Sequence, residues 1–134
     1  MQLNGPRKKK LIVAFHFHIA APRGWDCDEC RKQHLEVKRR CGWVPESQLT
    51  ESKPVWIRRQ VETDCCPKWL INAQSLEWLE AFAAWRGGYL EQGALTAKQI
   101  EAFQVLQNEL VKETHYAKQT TADNISRAEA GRFR

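Results

Sequence analysis

SLEWLEAFAAWRGG, residues 75–88, followed after a short loop by TAKQIEAFQVLQNEL, residues 96–110, is the part of the chain that decides its architecture. In the first stretch Leu76, Leu79 and Ala83 form one stripe and Trp78, Phe82 and Trp85 a neighbouring one. That pattern predicts a helix with a broad apolar face that must be covered. Gly87-Gly88 ends it as a C-terminal cap does. In the second stretch Thr96 and Gln99 have the spacing of a capping box, and Ile100, Phe103, Leu106 and Leu110 follow at helical intervals. The expectation is a helical hairpin of about residues 73–86 and 97–115. Beyond Ala117 only Ile125 and Phe133 are large and apolar. Residues 1–116 are therefore read as one domain, and 117–134 as a C-terminal tail, flexible or partner-bound.

Upstream the signals change. Lys10 to Ala20 is rich in β-branched and aromatic residues, with Phe15, Phe17 and Ile19 alternating against His16 and His18. This predicts a strand, closed by Ala21-Pro22-Arg23-Gly24. Val55 to Val61 reads as a second strand able to pair with the first. A two-stranded ribbon alone is marginal, and a metal knot beside it would supply the missing stability. The fold class expected is α+β: a small β-ribbon and a zinc knuckle packed on the C-terminal helical hairpin.

The knot is suggested by the cysteines. Five cysteines in 134 residues is an odd number, so a complete disulfide set would leave one thiol over, whereas a four-cysteine metal site with one spare accounts for the count. Zinc takes four thiolate or imidazole ligands in a tetrahedron, and Cys27-Asp28-Glu29-Cys30 offers two sulfurs at the C-x2-C spacing. Cys41 stands alone, and Cys65 and Cys66 are adjacent before Pro67. The expected ligands are Cys27, Cys30, Cys41 and Cys66, with Cys65 as alternate for Cys66 and His34 as rival to Cys41. His16 and His18, on one face of the expected strand, read as a solvated or partner-facing pair.

Other features bound the function. The longest apolar run, Leu11 to Ala21, is interrupted by histidines and is shorter than the roughly 20 residues a spanning helix needs, so no membrane is expected. Unpaired cysteines fit a reducing cytoplasm. No HExxH, phosphate loop, nucleophile elbow or dinucleotide glycine motif is present, so no catalytic residue and no small-molecule substrate are expected. The net charge of +5 is uneven: residues 1–40 carry ten Lys and Arg against four Asp and Glu, and residues 41–95 carry five against seven.

The order of features, a C-x2-C pair, a lone cysteine, Cys66-Pro67 with Leu70-Ile71, a Leu- and Trp-rich helix ending in Gly-Gly and a last helix beginning near Ile100, resembles small cysteine-containing proteins encoded among the tail genes of tailed bacteriophages and prophages. The resemblance covers roughly residues 25 to 112; the basic N-terminal lead and the doubled cysteine lie outside the pattern. It implies a virion or tail-assembly accessory role with protein partners, in the host cytoplasm or the virion. Two functions are thus in play. One is a zinc-stabilised assembly protein docking, or self-assembling, through Trp43, Trp56 and Trp69. The other is a nucleic-acid-binding zinc module led by Lys8, Lys9, Lys10, Arg31, Lys32, Lys38, Arg39 and Arg40.

Overall fold

In the computed structural model the described residues are 5–48 and 54–132. Their order is α1 (Gly5–Ala20), α2 (Cys27–Lys32), a 3-10 turn (Glu46–Gln48), β1 (Trp56–Arg58), β2 (Val61–Thr63), α3 (Pro67–Leu70), α4 (Ala73–Arg86), a second 3-10 turn (Gln92–Ala94) and α5 (Ala97–Arg132). The protein is thus mixed: helices, one two-stranded antiparallel sheet, and a long C-terminal helix.

Residues 10–20 are helical, which corrects the strand expected there. Pro6 lies in the first turn of α1, where its missing N–H costs no hydrogen bond. The helix stops where Ala21 takes φ 42° and returns its N–H to the Phe17 carbonyl at 3.0 Å, with Pro22 next. The alternation of rings and imidazoles misled because α1 is covered on most of its circumference. Leu11, Val13, Ala14, Phe15 and His16 are all buried, against α3, α4, α5 and β2. A helix buried nearly all round shows no clean 3.6-residue period.

With α1 helical, the second expected strand has no partner at the N terminus and folds back on itself. Trp56 pairs with Thr63, Ile57 with Glu62 and Arg58 with Val61. The two-residue turn between them puts Arg59 at φ 56°, a left-handed conformation that costs a non-glycine residue about 1 kcal/mol or more. Trp56 turns inward against Phe17, ring centroids 5.6 Å apart.

The hairpin of α4 and α5 forms as expected at its centre. Asn72 caps α4 by accepting from the Ser75 N–H at 2.8 Å, and Thr96 and Gln99 cap α5 reciprocally, at 2.9 and 3.2 Å. Trp78 and Phe82 of α4, Ala102, Phe103 and Leu106 of α5, and Leu11 and Phe15 of α1 make one buried cluster. Each of its large side chains contributes about 1.5–3 kcal/mol. The other stripe of α4 is covered only in part: Leu79 packs against this core, but Leu76 is 55% exposed and Ala83 is exposed. α5 does not end near His115 but continues to Arg132, with residues 117–131 all exposed.

Candidate metal centre and docking surface

Three short pieces of chain bring four cysteines to one place. Asp26 caps α2 by accepting from the Asp28 N–H at 2.8 Å, and Cys27 and Cys30 lie three apart on that helix rather than in an irregular knuckle. The segment after α2 turns back on itself through His34 at φ 55° and Arg40 at φ 50°, closed by bonds from the Leu35 N–H to the Cys30 carbonyl and from the Cys41 N–H to the Glu36 carbonyl. Cys66 is the N-cap residue of α3, with Pro67 opening the helix. Cys27, Cys30, Cys41 and Cys66 together line a concavity of about 340 Å³.

Cys30 and Cys66 are buried, Cys41 is half-buried and Cys27 exposed, and all five cysteines are free thiols. Burial, then the nearby Cys66, Cys30 and Cys27, pushes the Cys41 thiol up. Burial likewise raises Cys66, opposed by a backbone hydrogen bond at Lys68 and reinforced by Cys30 and Cys27. The neighbouring sulfurs thus resist ionisation of Cys41 and Cys66, a situation that a bound divalent cation reverses. Arg39 reaches in from the side: Nη1 donates to Cys30 Sγ at 2.9 Å and to the Gly24 carbonyl at 2.6 Å, while its guanidinium lies 4.1 Å from the Trp25 ring centroid. Among the described residues, no three or more His, Cys, Asp or Glu side chains are drawn close enough together to hold a metal ion as they stand.

The alternates lie elsewhere. Cys65 does not line the concavity; burial and Asp64 raise its thiol while Lys9 and Arg40 lower it. His34 is exposed at its left-handed turn and does not line the site.

Trp43 and Trp69 flank the same concavity, 59% and 53% exposed, and Trp25 joins them. The Trp69 ring lies flat over Gly42, so that a Cβ there would meet ring atoms at 2.4 to 2.7 Å. Trp56, expected as a third docking residue, is 8% exposed and belongs to the interior. Its ring packs on Phe17 of α1, which the sequence pattern had not made a helix.

The eight basic residues do not form one stripe. Lys8 and Lys9 are exposed on α1 and Lys10 is half-buried. Arg31 and Lys32 pair with Asp28 and Glu29 at 3.5 Å each, Arg39 serves Cys30, Lys38 is exposed and Arg40 half-buried.

A second polar cluster escaped the sequence reading. Arg58 Nη1 donates to His16 Nδ1 at 2.8 Å. His16 therefore carries its proton on Nε2, which donates to Glu109 Oε2 at 2.9 Å. Arg58 also forks onto Glu113 at 2.6 and 2.9 Å, with Arg59 adding an ion pair at 3.2 Å. The clue was there: Glu109 and Glu113 are one helical turn apart, but a histidine read onto a strand face was not sought as their partner. His16 and His18, expected side by side, part company, one buried and one exposed.

No helix among the described residues is long and apolar enough to cross a membrane. Compared with known protein families, curated proteins and solved structures, the chain matches none.

Proposed function

We propose that this chain is a metal-stabilised docking protein, in which Cys27, Cys30, Cys41 and Cys66 close on one zinc ion and Trp43 and Trp69 anchor a protein partner. The observation that carries the reading is the meeting of four cysteines, from three separate stretches of chain, around one concavity flanked by two exposed tryptophans. Four thiolates make a closed, structural zinc site. Because the ligands come from short helices and the turn between them, closing them on an ion adds binding energy that is also folding energy. Exposed tryptophans are costly surface unless something covers them, and they are the residues that most often dominate an interface. The tail-gene resemblance suggests virion assembly as the setting. The nucleic-acid-module reading draws less support, since three of its basic residues are engaged with Asp28, Glu29 and Cys30.

The test is elemental analysis of the full chain purified from zinc-supplemented cells, followed by cobalt substitution. About one zinc per chain and a tetrathiolate cobalt spectrum are expected. Less than about a tenth of an equivalent, with all five thiols reacting freely in the folded protein, would refute the reading.

A further inference from the structure

A second concavity, of about 490 Å³, opens between the first half of α1, the turn of the β-hairpin and the middle of α5. No cysteine lines it, so its reading stands apart from the metal site. Four cationic side chains reach its wall from three elements: Lys8 and Lys9 from α1, Arg59 from the turn and Lys112 from α5. Arg59 is paired with Glu113 at 3.2 Å and Lys112 with Glu109 at 3.3 Å, which leaves Lys8 and Lys9 to set the charge of the cleft. Glu109 is 6% exposed and already engaged, accepting from His16 at 2.9 Å and from Lys112 at 3.3 Å. Glu62 is exposed at the rim. Lys8 and Lys9 are adjacent and exposed, and among the described residues neither has an ion-pair partner. Positive charge gathered along a cleft without acidic partners favours an anionic ligand.

The walls are fixed before any ligand arrives. The Arg58–Glu113 fork and the His16–Glu109 bond tie hairpin, α1 and α5 together beneath the opening, which lowers the entropy cost of binding. At one side the Arg59 guanidinium lies 4.3 Å from the Tyr116 ring centroid. A guanidinium plane backed by an aromatic ring is a surface on which a nucleobase stacks. The volume suits a ligand of nucleotide size.

We propose that this cleft binds a nucleotide phosphate, with Lys8, Lys9 and Lys112 on the phosphate oxygens and the base against the Arg59–Tyr116 stack. The phosphate can come from a free nucleotide or from the backbone of a single strand, and the assay separates the two. Fluorescence anisotropy of the full chain with a labelled single-stranded oligonucleotide of about ten nucleotides is run at several salt concentrations, then with ATP as competitor. Binding in the range of about 1–100 μM is expected at low salt. Lys8→Glu/Lys9→Glu weakens it by about tenfold or more and flattens the salt slope by about 1.4. Lys32→Glu/Lys38→Glu, an equal charge change at exposed positions outside the cleft, weakens it by less than about threefold. Competition by ATP assigns the site to free nucleotides, and oligonucleotide binding without competition assigns it to a strand; either supports the phosphate site. Absence of binding by both probes overturns it. So do equal losses in the two double variants, which would mean general attraction to a basic surface. Zinc content, read in parallel, is unchanged in every variant.

Discussion

Replacing Arg58 by methionine removes three hydrogen bonds at one stroke while keeping most of the aliphatic stem. The guanidinium bonds Glu113 through both terminal nitrogens and His16 through one of them, with side-chain exposures of 17% for Arg58 and 16% for Glu113. The bonds from Arg58, against the opposing effect of burial and with help from Arg59, hold the Glu113 carboxyl down from 4.5 to about 2. A depression of that size corresponds to about 3 kcal/mol. Arg58 supplies the larger part, about 2 kcal/mol, and the unpartnered His16 Nδ1 adds about 1 kcal/mol, so Arg58→Met costs about 3 kcal/mol at neutral pH. A carboxylate whose pKa is lowered on folding stabilises above its unfolded value, so this contribution is complete above about pH 5 and is lost as the pH falls toward about 2. Urea unfolding of the full chain at pH 7 and about pH 3 therefore shows the gap between wild type and variant shrinking in acid. Arg58→Met/Glu113→Leu costs less than the sum of its single variants, because neither charge is then left without its partner. A loss under about 0.5 kcal/mol at pH 7, or one that does not change with pH, would show that the network does not hold the hairpin to α5.

Three further outcomes follow from the site and the tail. Cys30→Ser and Cys66→Ser lower bound zinc to well under one equivalent and lower the thermal midpoint, whereas Cys65→Ser changes neither, as elemental analysis and thermal unfolding will show. Gly42→Ala makes the Trp69 ring swing off its seat, since the new Cβ would lie 2.4 Å from it; acrylamide quenching of tryptophan emission rises, while stability falls by less than about 1 kcal/mol because the ring is already half exposed. Ending the chain after Tyr116 removes side chains that, among the described residues, are all exposed, so urea unfolding reports a change within about 0.5 kcal/mol.

The α4–α5 hairpin was legible because its signals are local and agree: the Thr96/Gln99 capping box before the second helix, apolar residues at helical spacing and Gly87-Gly88 between. α1 was not, because Leu11, Val13, Ala14, Phe15 and His16 are buried by α3, α4, α5 and β2, distant elements that no local pattern reports. The full length of α5 was hidden for the opposite reason. From 117 to 131 every side chain is exposed, so no hydrophobic period marks it, and only the helix-favouring Ala, Lys, Gln and Glu content speaks for it. At the cysteine site, the choice of Cys66 over Cys65 rested on a single ligand being expected from the pair, and the concavity is lined by Cys66 alone of the two. The tryptophans divided according to what lay opposite: Trp43 and Trp69 meet solvent, and Trp56 meets Phe17.

The 36 residues of α5 make a rod about 54 Å long, of which residues 117–131, about 22 Å, stand clear of the globule. Such a projection drags on solvent out of proportion to its mass. A monomer of 15.6 kDa therefore diffuses more slowly, and leaves a sizing column earlier, than a compact sphere of equal weight. Its copy number has to be counted by light scattering or sedimentation equilibrium, where mass is weighed without reference to shape.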